Sequence, residues 1–157
     1  MEIRMAAGCE GRAHPLEVEE QKTCWSWLAS VVVGNRSLQE YSYHVPNGTQ
    51  LGGARVRRAQ YMASLKSQGL KPGVSDLVIA YPVGQYHGAY IELKRLRESY
   101  KGPAALAASV SKEQQAWLLL MASVGYWASV AYGASEFKEQ VRAYLQKKKA
   151  IPLAFSL

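Results

Sequence analysis

The chain has 157 residues, 48% of them apolar, with 19 Lys and Arg against 12 Asp and Glu, for a formal net charge of +7 and a pI near 9.5. That length suits one domain with a core that needs no staples. The longest apolar stretches, such as Trp117 to Val124, exclude a bilayer-spanning helix, and no basic region leads into an apolar segment at the N-terminus. Two cysteines, Cys9 and Cys24, without CxxC or His-paired spacing, argue against zinc and a disulfide framework, and the basic balance favours a polyanionic partner.

Residues 1–14 lack periodicity and read as a loose leader; 15–149 form the domain, and 150–157 a tail. Pro15 opens a first helix running from Leu16 to Val33, with Val18, Cys24, Trp25, Leu28, Val31 and Val32 as its apolar positions. Gly34-Asn35-Arg36-Ser37 breaks it, and Tyr41 to Val45 has strand character before the turn signal Pro46-Asn47-Gly48. Val56, Tyr61, Met62 and Leu65 mark a second helix over 54–68, stopped by Gly69. A strand beginning near Val74 turns back at Gly84 or Gly88 into another over 89–95. After a basic, Gly- and Ala-containing segment, Ser111-Lys112-Glu113-Gln114 reads as the capping box of a helix to about Val124. Residues 126–132 form a strand, Gly133-Ala134-Ser135 a turn, and a last helix ends in Lys147, Lys148 and Lys149. A helical crossover makes the strands at 89 and 126 parallel, whereas the hairpin before them is antiparallel. The fold class is α/β, a mixed central sheet flanked by helices. The tail, Ile151 to Leu157, alternates apolar residues that suit either a partner subunit or this chain's own core.

Asp76 is the sole aspartate. It opens one apolar run, while Glu92 and Lys94 interrupt another, Ile91-Glu92-Leu93-Lys94. Strand alternation puts Glu92 and Lys94 on one face and Leu93 on the other, and the hairpin brings Asp76 beside Glu92. Asp76, Glu92 and the Leu93 carbonyl form an all-oxygen donor set suited to Mg²⁺ against a phosphate. Lys94 can orient or deprotonate water, or stabilise charge on the phosphate. The bland alternative is a cross-face ion pair on a solvated sheet, but the flanking Leu77, Ile79, Ile91 and Leu93 argue for burial, where an unpaired carboxylate is costly. Arg55, Arg57 and Arg58, with Arg95, Arg97 and Lys101 after the second strand of the hairpin, are candidates for phosphate contact. His44 and His87 lack spaced ligand partners and read as structural or surface residues. The aromatics, Trp25 and Trp27 included, fall on core-facing patterns, which argues against base stacking.

Gly69 to Ile79, Gly88 to Lys94, Ser111 to Trp117 and Gly125-Tyr126 resemble the VRR-NUC domain, the virus-type replication-repair nucleases of the PD-(D/E)xK superfamily. Val45-Pro46-Asn47-Gly48 is similar to that family's turn before helix two, and Glu17 with Gln21 and Trp27 to its first-helix pattern, so the resemblance spans residues 16–146. Ser75 stands where the superfamily name has proline. The resemblance implies a restriction-endonuclease-like core with about four strands. It also implies a DNA endonuclease dependent on Mg²⁺ or Mn²⁺, with no organic cofactor. Asp76, Glu92 and Glu17 would be its acidic metal residues, Lys94 its catalytic lysine, Gln114 its helix glutamine near the metal, and Asn47 part of a loop near the site. Small members imply a homodimer that cuts branched DNA, such as four-way (Holliday) junctions, in the cytoplasm of a bacterium or a phage-infected cell. A flap or single-strand nuclease with the same site, and a non-catalytic branched-DNA binding module, are the alternatives.

Overall fold

The structure is a computed structural model and describes residues 14–45, 55–146, Leu153 and Phe155, with the backbone alone at 55–58. The predicted turn at Pro46-Asn47-Gly48 and the lysines 147–149 lie outside the described residues.

Helix α1 spans Glu17–Leu28. Glu17, Glu19 and Glu20 occupy its first turn, where the helix dipole favours carboxylates, and Glu19 Oε2 accepts the Leu16 N–H at 2.6 Å. The helix ends five residues before the predicted Val33. Three consecutive β-branched valines, Val31 to Val33, are stiff at χ1 and favour extended backbone, so Val32–Val33 (β1) and Arg36–Ser37 (β2) pair across Gly34-Asn35. Gly34, at φ 62°, makes that tight turn possible.

A 3₁₀ turn, Leu38–Tyr41, leads into β3, Ser42–His44. Helix α2, Arg55–Ser67, stops near Gly69 as predicted. Strand β4 is Leu77–Ile79, shorter at its start than expected, and β5 is Ala89–Lys94. The basic, Gly- and Ala-containing segment, to which the sequence assigns no element, contains a short helix, α3, Gly102–Ala107, with Pro103 in its first turn. Helix α4, Lys112–Ser123, carries the predicted capping box: Gln114 N donates to Ser111 Oγ at 3.2 Å and Ser111 N to Gln114 Oε1 at 2.9 Å. Strand β6 is Trp127–Tyr132. Helix α5, Gly133–Leu145, follows it with no intervening turn, because Gly133 adopts φ 79° and the Glu20 carboxylate of α1 accepts the Ala134 N–H at 2.6 Å.

The main sheet has the order β3-β4-β5-β6, with β3-β4 and β4-β5 antiparallel and β5-β6 parallel. It is the mixed, helix-flanked sheet that the sequence predicts. One face carries Leu77, Ile79, Ala89, Ile91, Leu93, Trp127 and Ala131, packed against Cys24 and Leu28 of α1 and Phe137, Val141 and Tyr144 of α5. Alternation sends Tyr90, Glu92 and Lys94 to the other face, where Tyr90 meets Trp117 of α4 edge-on at 5.6 Å. Leu153 and Phe155 line a cavity of about 320 Å³ with Val110, Tyr132 and Gln140, so these two tail residues lie against this chain's own fold. Among the described residues no helix is long and apolar enough to cross a membrane.

Candidate active site

Glu92 and Lys94 occupy a closed surface of β5, with exposures of 0% and 6%. Lys94 Nζ lies 2.7 Å from Glu92 Oε1. The pair is therefore no ion pair on a solvated sheet: both charges are out of water, where each needs a partner.

Register places Asp76. Leu77 pairs with Ile91, so Asp76, one residue before β4, falls level with Glu92. Asp76 Oδ2 accepts the Leu93 N–H at 3.0 Å, taking the place of a strand that has not yet begun. The N–H and C=O of one strand residue point to the same edge, so the Leu93 carbonyl also faces the open edge beside Asp76.

Gln114 brings α4 into the site. Its amide oxygen serves the capping box while its Nε2 donates to Glu92 Oε1. One side chain thus caps the helix and orients the carboxylate. The approach is tight because Gly73, at φ 82°, lies against the first turn of α4: a Cβ there would sit 2.4 Å from the Glu113 carbonyl carbon.

The electrostatics follow from burial and crowding. Burial, then the neighbouring Asp76 carboxylate, push Glu92 up to about 8 against the opposing pull of Lys94. Burial pulls Lys94 down, but the charge and hydrogen bond of Glu92, aided by Glu17 and Asp76, outweigh it and leave the ammonium more basic than usual. Lys94 therefore stays charged near neutral pH, while Glu92 favours its protonated form. Glu17 stands at the rim. The residue as a whole is exposed, yet partial desolvation of its carboxyl, opposed by Lys94 and reinforced by Asp76, raises its pKa.

Does this site fit a metal? Glu92 Oε1 receives both Lys94 and Gln114, whereas Glu92 Oε2 is buried and receives no donor; its neighbour is the Asp76 carboxylate, to which it can hydrogen-bond only by holding a proton. An unpaired buried carboxylate oxygen beside a second carboxylate is the feature a cation would satisfy. Ser75 Oγ, next to Asp76 in sequence, is also buried and unpartnered. Among the described residues no three His, Cys, Asp or Glu side chains form a ready cage. The donors are two carboxylates, the Leu93 carbonyl and Glu17 at the rim, all oxygens, which suits a hard cation that keeps part of its water shell.

The basic candidates divide. Arg95 is exposed and stacks over Tyr100 at 5.3 Å. Lys101 is exposed at the start of α3. Arg97 is engaged: its Nε and a terminal nitrogen reach the two Glu136 oxygens at 2.5 and 3.0 Å, and its guanidinium covers Tyr132 at 4.1 Å. Free phosphate contact by Arg97 would require that arrangement to break. Arg55, Arg57 and Arg58 open α2, with side chains outside the described residues, and Asn47 lies outside them altogether.

Two contacts near the site escape the sequence reading. Glu20, on the inward stripe with Cys24 and Leu28, caps α5; a carboxylate on an apolar stripe was the available signal. His44 Nδ1 lies 2.9 Å from the Asp76 carbonyl oxygen and 2.6 Å from the Gln21 side-chain amide. One ring nitrogen cannot accept from an amide and donate to a carbonyl together. With the proton on Nδ1 it serves the Asp76 carbonyl, and Gln21 presents its oxygen. In that arrangement β3 and α1 brace the backbone of Asp76, a contact no local spacing reveals.

The model of the VRR-NUC domain family matches residues 24–135, which include Asp76, Glu92, Lys94 and Gln114 but not Glu17 or Gln21. A solved structure of a "VRR_NUC domain protein" is similar over 85% of this chain and 90% of its own, at 26% identity and a TM-score of 0.67. No curated protein matches the chain. With most of its length matched, and with the four-stranded mixed sheet that carries Asp76 and Glu92, the chain belongs to the VRR-NUC domain family, whose members are nucleases of the restriction-endonuclease-like fold.

Proposed function

We propose that the chain is a Mg²⁺- or Mn²⁺-dependent DNA endonuclease that acts as a homodimer on branched DNA, with residues 15–149 as its nuclease domain, in the cytoplasm of a bacterial or phage-infected cell. The observation that carries the metal site is the orphaned, buried Glu92 Oε2 beside Asp76. Asp76, Glu92 and the Leu93 carbonyl would hold the ion, with Glu17 reaching in from the rim. When bound, the ion supplies Lewis-acid chemistry, lowering the pKa of water and neutralising charge on the phosphate. The chain's own residues do the rest. Leu93 N–H fixes Asp76, Gln114 fixes Glu92, and the charged Lys94 Nζ places a fixed positive charge beside the phosphate. A lysine whose basicity is raised suits electrostatic stabilisation better than removal of a proton from water. Water is the nucleophile and no residue is acylated or phosphorylated.

The test is a panel of labelled four-way junction, flap, duplex and single-strand DNA, incubated with purified protein and Mg²⁺, with EDTA as control. Cleavage of the junction that EDTA abolishes is expected. Asp76→Ala should lose cleavage and keep binding. Unchanged cleavage by that variant sinks the site, cleavage of flaps alone sinks the junction preference, and binding without cleavage by the wild type leaves a binding module.

A further inference from the structure

Helix α1 turns one stripe inward and another out. Glu20, Cys24 and Leu28 are buried. Val18, Gln21, Lys22 and Trp25, at helical spacing on the other side, line a groove of about 540 Å³ with Ser26 and His44. Val18 is 51% exposed and Trp25 36%, so Trp25 leaves the core-facing role its spacing predicts.

This groove adjoins the backbone of the candidate active site through His44. Its wall residues Gln21 and His44 touch each other, and His44 touches the carbonyl oxygen of Asp76. Its chemistry is mixed: an open indole and an isopropyl group, an ammonium, an amide, a hydroxyl and an imidazole. A nucleotide presents the matching set, a flat base, a phosphate and hydrogen-bonding base edges. A second copy of the chain is a poorer occupant, because two exposed apolar side chains interrupted by Lys22 and Gln21 fall far short of the roughly 800 Å² per partner of a stable interface.

We propose that the α1 groove takes an unpaired nucleotide of the substrate strand, its base stacked on Trp25 and its phosphate beside Lys22, while a neighbouring phosphate reaches Asp76 and Glu92. A base held within a duplex is stacked on both sides and offers no face to Trp25, so the groove selects DNA with unpaired or splayed nucleotides next to the cut. This rests on the nuclease reading above and adds to it the state of the strand that the site accepts.

Binding is read by fluorescence anisotropy in EDTA, so that no DNA is cut, with labelled blunt duplex and with the same duplex bearing a single-stranded extension. Trp25→Ala should weaken binding of the extended DNA about tenfold and of the blunt duplex less than about twofold, and Trp25→Phe should restore most of the loss. Abasic sites in the extension should weaken the wild type without further weakening Trp25→Ala. Lys22→Ala should reduce the salt slope by about one unit. Trp25 is 36% exposed, so Trp25→Ala should stay folded with a modestly lower thermal melt, and Trp25→Phe, which keeps a ring, controls for that loss.

Equal binding of extended DNA by Trp25→Ala and wild type overturns the proposal. So does equal weakening on both DNAs, or a switch from dimer to monomer by sedimentation in Trp25→Ala, which would give the groove to a second copy. A wild type that cuts DNA with Mg²⁺ but shows no Trp25 dependence sinks this inference alone. A wild type that neither binds nor cuts any DNA sinks the nuclease reading itself.

Discussion

Two acid–base pairs lie near the ends of β5 and β6, and they are built to opposite rules. Arg97 and Glu136 are partly exposed and saturated: both Glu136 oxygens receive Arg97, Glu136 Oε2 also accepts the Tyr132 N–H at 3.1 Å, and Tyr132 covers the guanidinium. Glu92 and Lys94 are buried and incomplete, with two donors on Oε1 and none on Oε2, and a second carboxylate adjoining. A pair that only stabilises can satisfy every lone pair. A pair that leaves one open in the interior carries a standing cost that a ligand can relieve, and the difference separates a structural bridge from a site.

The largest effect expected from that contrast is on Glu92→Gln. The amide keeps the shape and can still accept from Lys94, but it loses the charge a cation needs. Cleavage of the preferred DNA should fall about a thousandfold. Stability near neutral pH should change little, since Glu92 favours its protonated form there and the amide still accepts from Lys94, whose charge Glu17 and Asp76 also face. A urea melt that shows Glu92→Gln well below the wild type would place Glu92 among ordinary structural residues and erase the contrast.

That pair was legible in the sequence because the rules that assemble it are local. Alternation puts Glu92 with Lys94, a hairpin register puts Asp76 opposite, and a four-residue capping box starts α4 at Gln114. What was not legible depends on contacts between distant segments. Val31 and Val32 fit a helical count equally well, and only pairing with β2 ends α1 at Leu28. The positions of Trp25 and Cys24 are adjacent on the same periodic pattern, and packing of α1 against α5 decides which is buried. His44 reaches the Asp76 carbonyl across 32 residues of sequence through the β3-β4 ladder. Arg97 looked like any basic residue after a strand until Glu136, 39 residues on, closed around it.

The next effect is a pH dependence. In the folded, metal-free chain Glu92 holds its proton up to about 8, against an ordinary 4.5 when unfolded. Between those values the folded state binds more protons, so the free energy of unfolding falls as pH rises, by a few kcal/mol across the window. Urea melts in EDTA from below 4.5 to above 8 should show that decline, and Glu92→Gln should flatten it. With Mg²⁺ in excess the trend should weaken or reverse, because an ion held by Glu92 displaces the proton and binds tighter as pH rises. A wild-type profile that stays flat in EDTA would mean that Glu92 is already ionised and paired.

The smallest effect belongs to the saturated bridge, and it sharpens the contrast most cleanly. Arg97→Ala removes a bidentate but partly exposed ion pair and a cation–π contact, together worth about 1 kcal/mol. Glu136 still keeps the Tyr132 N–H, so the start of α5 survives. Thermal melts should register a modest loss of stability. Cleavage under Mg²⁺ should match the wild type, and the salt dependence of DNA binding should keep its slope, because a guanidinium already neutralised by Glu136 releases few counterions from phosphate. If the slope drops by about one unit instead, Arg97 leaves Glu136 for the DNA backbone. The bridge would then be a substrate contact held in reserve, and saturation would no longer distinguish structure from function here.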